Sequence, residues 1–366
     1  MPPPPPPKPT ATKPTFQLGY RPELDGVRGI SILLVLGLHL VPRLLPGGFL
    51  GVDIFFVLSG FLITSLLLQE WSRRNVISLK DFYIRRVLRL GPGLAVFLLA
   101  LGAYAFLRLN GETAHDVYIG ILLTLSYVSN WFIALKPNMP LSILAITWSL
   151  AVEEQFYLLW PMVFSLLLVL KVRRRWILTT LALGVVIVAV HRARLWHEGA
   201  TIKRLYYGTD THADGLLLGC LIGCLLSWDL IPQSKIFWRV MNYLALASAI
   251  FIVYFALTTP RNEPLLYSGG FSVAGLAIAV ALLALLGPAT LATTLLRVKP
   301  LVWLGRISYG LYLWHWPVRG LVFGNSTQPS ATRIIAAVVF SLAITSLSFY
   351  LIELPFLRWK KRFGHA

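Results

Sequence analysis

Residues 51–68 read GVDIFFVLSGFLITSLLL, eighteen residues in which Asp53 is the only charged side chain. A run of this length and hydrophobicity crosses the hydrocarbon core of a bilayer as a helix. Similar runs recur along the chain, of which 57% is hydrophobic and 13% charged, about half the charged share of a soluble domain. Because helices satisfy their own backbone polar groups in lipid, the sequence predicts an all-α, polytopic membrane helix bundle.

Short basic clusters between the apolar runs set the predicted orientation. The eleven runs lie near residues 26–45, 51–70, 91–109, 118–135, 148–170, 176–192, 213–228, 240–258, 269–288, 303–323 and 332–353. If all crossed, clusters on either side of 118–135 would face opposite compartments, against the tendency of Lys and Arg to remain cytoplasmic. That run also carries Ser126, Ser129 and Asn130, and Pro137 and Pro140 follow it. We therefore predict about ten transmembrane helices and a re-entrant or outer-surface segment at 118–135.

The domain boundaries follow from the same pattern. We expect a disordered Pro-rich cytoplasmic tail at 1–20, a transmembrane domain at 21–356 and a short basic cytoplasmic tail at 357–366. The net charge of +18 lies between the apolar runs, where orientation signals lie, so nucleic-acid binding is not expected. Cys220 and Cys224, one helical turn apart in an apolar run, are interpreted as buried small hydrophobic residues, and no metal site is expected.

The first predicted helix carries Arg28 and His39. Eleven residues are about three helical turns, which places both side chains on one face about 16 Å apart along the axis. An ionisable group inside a membrane span is costly and therefore suggests function. The alternative for His39 is a structural hydrogen bond to a neighbouring helix.

Asp53 enters the second predicted helix close to the outer end of the first. A carboxylate there could orient or charge-stabilise the His39 imidazole, as carboxylates do for catalytic histidines. A helix N-cap is an equally good interpretation of the same residue.

Arg85, Arg86 and Arg89 form a basic edge at the cytoplasmic start of the third predicted helix. Arginine binds phosphate groups in a bidentate manner, so these residues are candidates for a phosphorylated donor. Orientation charge or contacts with anionic lipid headgroups would explain the same cluster.

Two further motifs carry polar groups into apolar runs. The segment WSLAVEEQFYLLWP begins the run at 148–170 with Trp148, Glu153, Glu154 and Tyr157, and we place this end near the outer surface, where an acceptor could bind. Helix-start acids and interfacial aromatic residues are the alternative. His315 stands between two tryptophans in GRISYGLYLWHWP, and packing against the first helix is as plausible for it as chemistry.

Together the motifs RPELDGVRG with His39, GGFLGVDIFFVLSGFLI, FYIRRVLRLGP, WSLAVEEQFYLLWP and GRISYGLYLWHWP resemble the acyltransferase-3 family of integral-membrane acyltransferases over about residues 20–355. The resemblance implies ten helices, a cytoplasmic acyl-CoA donor, and an acceptor site on the other side. It implies a catalytic His39, a donor-binding set of Arg28, Arg85, Arg86 and Arg89, and a functional Glu153. His212 stands where the family's usual pattern has an Arg, although Asp214 is retained.

We therefore expect a membrane O-acyltransferase with catalytic residues His39, Asp53 and Glu153 and with Glu154, Tyr157, Trp148 and His315 as substrate-binding residues. The expected donor is acetyl-CoA or another acyl-CoA, and the expected acceptor is a glycan, a lipid-linked sugar or a small molecule such as a glycosylated metabolite. The resemblance and topology suggest a bacterial inner membrane with both termini cytoplasmic. His39 would act as a general base or as a nucleophile. The alternatives are a transporter or flippase, for which no internal repeat is visible, and a sensor whose polar groups only join helices.

Overall fold

The computed structural model describes residues 17–136, 143–324, 326 and 329–360, so Pro137, Pro140 and most of both predicted tails lie outside it. The described chain is helical, as predicted. Its helices are α1 Pro22–Leu40, α2 Leu50–Arg74, α3 Leu79–Arg108, α4 Gly111–Leu125, α5 Ser129–Leu135, α6 Trp148–Val169, α7 Arg174–His197, α8 Ile202–Tyr207, α9 Thr209–His212, α10 Asp214–Ser227, α11 Lys235–Thr258, α12 Phe271–Leu285, α13 Leu291–Leu296, α14 Lys299–Phe323, α15 Ala331–Ser348 and α16 Leu354–Lys360. A 3₁₀ turn at Ala145–Thr147 precedes α6, and π-helical turns at Leu266–Gly270 and Phe349–Glu353 precede α12 and α16.

Seven of the described helical segments are long and apolar enough to cross a membrane. They are Leu50–Arg74, Leu79–Arg108, Ala145–Val169, Arg174–His197, Lys235–Thr258, Leu266–Leu285 and Ala331–Trp359. The helix α10 is apolar but shorter, whereas α1 and α14 have the length but carry several charged side chains. Counting α1, α10 and α14 with these seven would give the ten transmembrane helices expected from the sequence, and that number remains a prediction.

The run at 118–135, predicted not to cross, is divided between α4 and α5. Its bend lies at Tyr127, whose backbone φ is +55°. The Tyr127 carbonyl accepts a 2.7 Å hydrogen bond from the Gln155 side chain, two turns into α6. On the α5 side, Asn130 donates to the Tyr207 carbonyl at 3.1 Å. The segment thus forms a short helical hairpin whose bend is held by polar contacts from α6.

The helices alternate in direction, and two ends of the bundle can be distinguished. We call the end at which α1 begins the lower end and the end at which it terminates the upper end. At the lower end Arg297 donates to Glu23 at 2.9 Å, and the guanidinium of Arg174 lies 5.5 Å from the Trp228 ring. The basic clusters that precede α14 and α7 thus each contact a residue at the lower end, the start of α1 and the end of α10 respectively.

Small residues allow two helix pairs to approach closely. A Cβ on Gly305 in α14 would lie 1.8 Å from the Asp25 carbonyl oxygen of α1, and one on Gly60 in α2 would lie 2.0 Å from the Leu216 carbonyl oxygen of α10. Only glycine permits such backbone contact. Because α1 and α14 run parallel at this distance, His39 near the end of α1 comes level with His315 in α14.

Candidate active site

A cavity of about 670 Å³ extends from the lower end into the bundle between α1, α2, α3, α6, α14 and the π-helical turn before α16. Its lining begins at Tyr20 and Arg306, both exposed at the lower end, and continues to Ser149 and Tyr312. The polar residues of its wall are Tyr20, Asp25, Arg28, Arg86, Arg89, Ser149, Glu153, Tyr157, Arg306, Ser308, Tyr309, Tyr312, Tyr350 and Glu353. The cavity therefore has a charged lower part and an upper part that ends at Tyr312, one turn before His315 on α14.

Three of the predicted donor-binding arginines, Arg28, Arg86 and Arg89, line this cavity. The guanidinium of Arg86 lies 3.8 Å from the centre of the Tyr157 ring, and the Nε atom of Arg28 is buried without a hydrogen-bond partner in the described structure. Buried polar atoms are rarely left unpaired. An anionic ligand in the cavity would supply the missing acceptor.

Arg85 does not belong to this group. It forms a 3.3 Å ion pair with Glu70 of α2 and is absent from the cavity wall. The sequence pairs Arg85 with Arg89 four residues later, but the cavity instead takes Arg86 and Arg89, three residues apart on α3. Arg85 thus lies outside the cavity wall that Arg28, Arg86 and Arg89 share, and its donor-binding role stays a prediction.

Glu153 lies in the cavity wall, beside the arginines and away from the upper surface. Its carboxylate accepts hydrogen bonds from Ser59 and from Tyr157, the latter at 3.2 Å. Ser59 and Tyr157 are themselves 2.8 Å apart. Glu153, Ser59 and Tyr157 therefore form one hydrogen-bonded group next to Arg86. The sequence instead predicts Glu153 and Tyr157 near the outer surface, where an acceptor could bind.

The top of the cavity is closed by Tyr312. Its hydroxyl donates to the Ile146 carbonyl at 2.9 Å and lies 2.7 Å from the Ser149 hydroxyl. The Tyr312 ring packs 5.8 Å from the His315 ring on the next turn of α14. A single aromatic layer therefore separates the cavity from the histidines above it.

His39 and His315 form a hydrogen-bonded pair, with His39 Nδ1 2.9 Å from His315 Nε2. The second nitrogen of His315, Nδ1, lies 3.0 Å from the Leu311 carbonyl oxygen. A carbonyl can only accept, so His315 Nδ1 carries the proton, and the neutral ring must accept through Nε2. His39 then donates through Nδ1, which leaves a lone pair on its Nε2. This hydrogen-bond chain fixes the tautomer that a general base requires.

Arg319 contacts His39 at the upper end of the bundle. It donates from Nε to the His39 backbone carbonyl at 2.7 Å, and its guanidinium lies 5.1 Å from the Trp316 ring. Arg261, in the turn after α11, donates to the Tyr207 hydroxyl at 3.2 Å and lies 5.2 Å from the Tyr206 ring. The surroundings of His39 are therefore cationic and aromatic.

Asp53 forms its described hydrogen bond with His212. His212 Nε2 lies 2.9 Å from Asp53 Oδ1, and His212 Nδ1 lies 2.7 Å from the Tyr206 carbonyl. Since Nδ1 must donate to that carbonyl, one further proton lies between Nε2 and the carboxylate. Asp53 and His212 are both almost completely buried. The described partner of Asp53 is therefore the imidazole of His212 in α9, and the predicted contribution of Asp53 to catalysis stays a prediction.

This pair makes stability depend on pH. Burial opposes protonation, but the Asp53 carboxylate outweighs it and raises the pKa of His212 above its ordinary value, about 6.5. The stabilisation is therefore complete below the ordinary pKa and is lost as pH rises through the raised one. We expect the thermal unfolding midpoint in detergent to fall over this range, and to fall less in His212→Arg, whose charge is permanent. Equal pH profiles for the two proteins would contradict the assignment.

The remaining predicted substrate-binding residues are dispersed. Trp148 stacks on His212 with ring centres 5.8 Å apart and contacts Tyr206 at 4.8 Å. Glu154 is half-buried on α6 and is not part of the cavity wall. Of the four, only Tyr157 lines the cavity, while His315 pairs with His39.

The buried cysteines behave as predicted from their spacing. Cys220 and Cys224 are free thiols packed in the core of the bundle. Within residues 17–136, 143–324, 326 and 329–360, no three His, Cys, Asp or Glu side chains are grouped so as to hold a metal ion.

Three features were not predicted from the sequence: Arg319, Arg261 and the hydrogen bonds by which Tyr312 closes the top of the cavity. Arg319 follows His315 by four residues, so helical periodicity could have placed it on the same face. Arg261 lies in a turn after α11 and has no comparable signal in the local sequence.

Comparison with known proteins shows to which family the chain belongs. A family model described as an acyltransferase domain, Acyl_transf_3, matches residues 21–353. The chain belongs to the acyltransferase-3 family. The match covers α1 to the last π-helical turn, and so includes the cavity and the histidine pair of this family member.

Among acyltransferase-3 relatives, the chain is 35% identical over 350 residues to the peptidoglycan O-acetyltransferase OatA of Listeria monocytogenes, covering 92% of this chain and 56% of the relative. It is 35% identical over 356 residues to YrhL of Bacillus subtilis, provisionally named a peptidoglycan O-acetyltransferase, covering 92% and 55%. The chain thus spans little more than half the length of these relatives. No solved structure matches it.

Proposed function

We propose that the protein transfers an acetyl group from acetyl-CoA, bound from the cytoplasmic side, to a hydroxyl of an envelope glycan on the opposite side. The observation that carries this proposal is the arginine-lined cavity, which ends at Tyr312 directly below the His39–His315 pair. The names of the O-acetyltransferase relatives support the acetyl group and the glycan acceptor.

The donor site follows from the charges of the cavity. Arg28, Arg86 and Arg89 supply guanidinium groups for the phosphates of CoA, and the unpaired Nε of Arg28 supports this role. The pantetheine arm would extend upward along α1 to Tyr312, and rotation of the Tyr312 side chain would let the thioester reach His39. The lower end would then face the cytoplasm, in agreement with its basic clusters.

The chemistry centres on His39. Its Nε2 removes the proton from the acceptor hydroxyl while the oxygen attacks the thioester carbonyl carbon; the C–O bond forms, the C–S bond breaks, and the thiolate of CoA recovers the proton. His315 acts as a positioning residue, since its hydrogen bond keeps the basic nitrogen of His39 directed away from α14. An acyl-imidazole on Nε2 uses the same tautomer.

The proposal is tested with purified full-length protein and acetyl-CoA labelled in the acetyl group. We expect release of free CoA thiol, and acceptor-dependent transfer of label to glycan fragments. Binding of acetyl-CoA without any thiol release would contradict enzymatic function.

The donor site makes a separate prediction. Because a hydrogen bond to a charged group contributes about 1.5–3 kcal/mol, Arg89→Gln should raise the KM for acetyl-CoA about tenfold or more. Arg85→Gln is the matched control, since Arg85 lies on the same helix but outside the cavity wall. Steady-state thiol release measures both variants. Equal effects of the two substitutions would argue against phosphate binding in the cavity.

A further inference from the structure

Glu353, the last residue of the π-helical turn before α16, differs from the other buried acidic residues of the described chain. The other three each have a basic side chain within 3.0 Å, in the pairs Glu23–Arg297, Asp53–His212 and Asp214–Arg192. Glu353 is only 4% exposed, forms no ion pair among the described residues, and accepts one long hydrogen bond, from Ser348 at 3.4 Å. A buried carboxyl group with so little compensation is unfavourable unless a further group bonds to it.

Two glycines make room for the Glu353 carboxyl group. A Cβ on Gly93 of α3 would lie 3.3 Å from Glu353 Oε1, and a Cβ on Gly310 of α14 would lie 3.1 Å from the same atom. Both distances are shorter than ordinary van der Waals contact. Glu353 is also part of the cavity wall. The carboxyl group therefore occupies a fitted place between α3 and α14 at the edge of the cavity.

The helices that Glu353 contacts set its height along the cavity. Gly93 follows Arg89 by four residues on α3 and so lies about one turn above it. Gly310 precedes Tyr312, which closes the top of the cavity, by two residues on α14. Glu353 therefore lies above the arginines and below the closure, at the level through which the arm of the donor would extend.

We propose that Glu353 accepts a hydrogen bond from an amide N–H of the pantetheine arm and thereby selects a donor with that arm. This inference rests on the proposed function, since it concerns the donor of that site. The arm carries two secondary amides between the phosphates and the thiol, and a carboxyl oxygen accepts from an N–H whether or not the group is ionised. Glu153 also lines the cavity, but it already accepts from Ser59 and Tyr157.

The experiment measures binding to the full chain in detergent by titration calorimetry. The probes are CoA and two CoA analogues, each with one of the two pantetheine amides replaced by an ester. The replacement removes one N–H and keeps the phosphates, the thiol and the length of the arm. We expect one ester to bind about fivefold or more weakly than CoA, which corresponds to the loss of one hydrogen bond. The position of that ester identifies the amide that contacts Glu353.

Three variants assign this preference to Glu353. In Glu353→Leu, CoA should bind about fivefold more weakly and the preference over the ester should fall close to one. Glu353→Gln retains an acceptor oxygen and should keep most of the preference. Glu112→Leu, at an exposed position on α4, is the control and should leave it unchanged. A purely structural role of Glu353 would weaken CoA and both esters equally, because the fold does not depend on the N–H of the ligand.

If Glu353→Leu is not recovered folded, Glu353→Asp takes its place. The shorter side chain withdraws the oxygen by one methylene and should reduce the preference. Equal binding of CoA and both esters by the unmodified protein would overturn the proposal, as would a preference that survives in Glu353→Leu or Glu353→Asp.

Failure of the proposed function gives different results. No binding of CoA at millimolar concentrations would contradict the donor site and this inference together. A preference that depends on Glu353, in a chain that releases no thiol from acetyl-CoA, would contradict the enzymatic function and leave the contact with the arm standing.

Discussion

Replacing His39 by alanine is expected to reduce acyl transfer by at least about 10²–10⁴-fold, the range that a positioned general base contributes. The substitution removes the Nε2 lone pair that the hydrogen-bond chain through His315 leaves available. Transfer is measured as acceptor-dependent thiol release from acetyl-CoA, alongside the thermal unfolding midpoint, which should change little because His39 is only partly buried.

The control for this experiment is His115→Ala, which removes an exposed histidine from α4. His115→Ala should retain full activity. The activity of His315→Ala should lie between those of His39→Ala and His115→Ala. Without His315 the His39 ring can adopt the wrong tautomer, but it keeps both of its nitrogen atoms. Substantial turnover in His39→Ala would exclude His39 as the reacting group.

Replacing Asp53 by alanine is expected to destabilise the protein by roughly 3–5 kcal/mol, the usual cost of removing one partner from a buried ion pair. The His212 imidazole would remain buried against Trp148 and Phe56 with no carboxylate to accept from Nε2. The loss should be visible as a lower unfolding midpoint in detergent.

The matched control for Asp53 is Asp116→Ala, at an exposed position on α4. A second variant separates charge from packing: Asp53→Ala combined with His212→Leu removes both charged partners and should recover part of the lost stability. If Asp53→Ala unfolds at the same temperature as the unmodified protein, the ion pair contributes nothing.

Much of the fold could be predicted from local sequence, because a run such as 51–68 has no other stable state in lipid. The bend between α4 and α5 was also indicated, since polar residues at Ser126 and Asn130 interrupt the apolar run. The number of transmembrane helices was harder to predict from the sequence. Helix α1 carries three charged side chains in its first two turns, and α14 is rich in Trp, Tyr and Gly, so neither is as apolar as the other long helices.

The site could be predicted only where its residues lie on one helix. Arg28 and His39 share α1, so their spacing was informative. The contact between Asp53 and His212 joins residues 159 positions apart. Arg85 forms an ion pair with Glu70 on a different helix and does not line the cavity. Such contacts depend on how helices pack, and helix periodicity within one segment contains no information about them.

The Tyr312 closure has a consequence for the membrane itself. A polar hollow that crossed the whole bundle would offer water, and hence protons, a continuous path down the electrochemical gradient. The hydrogen bonds from Tyr312 to Ile146 and Ser149 interrupt that path one turn below His315. With Tyr312 in this position the described cavity does not reach the histidine pair, so a polar ligand in its lower half would not open a water path across the bilayer.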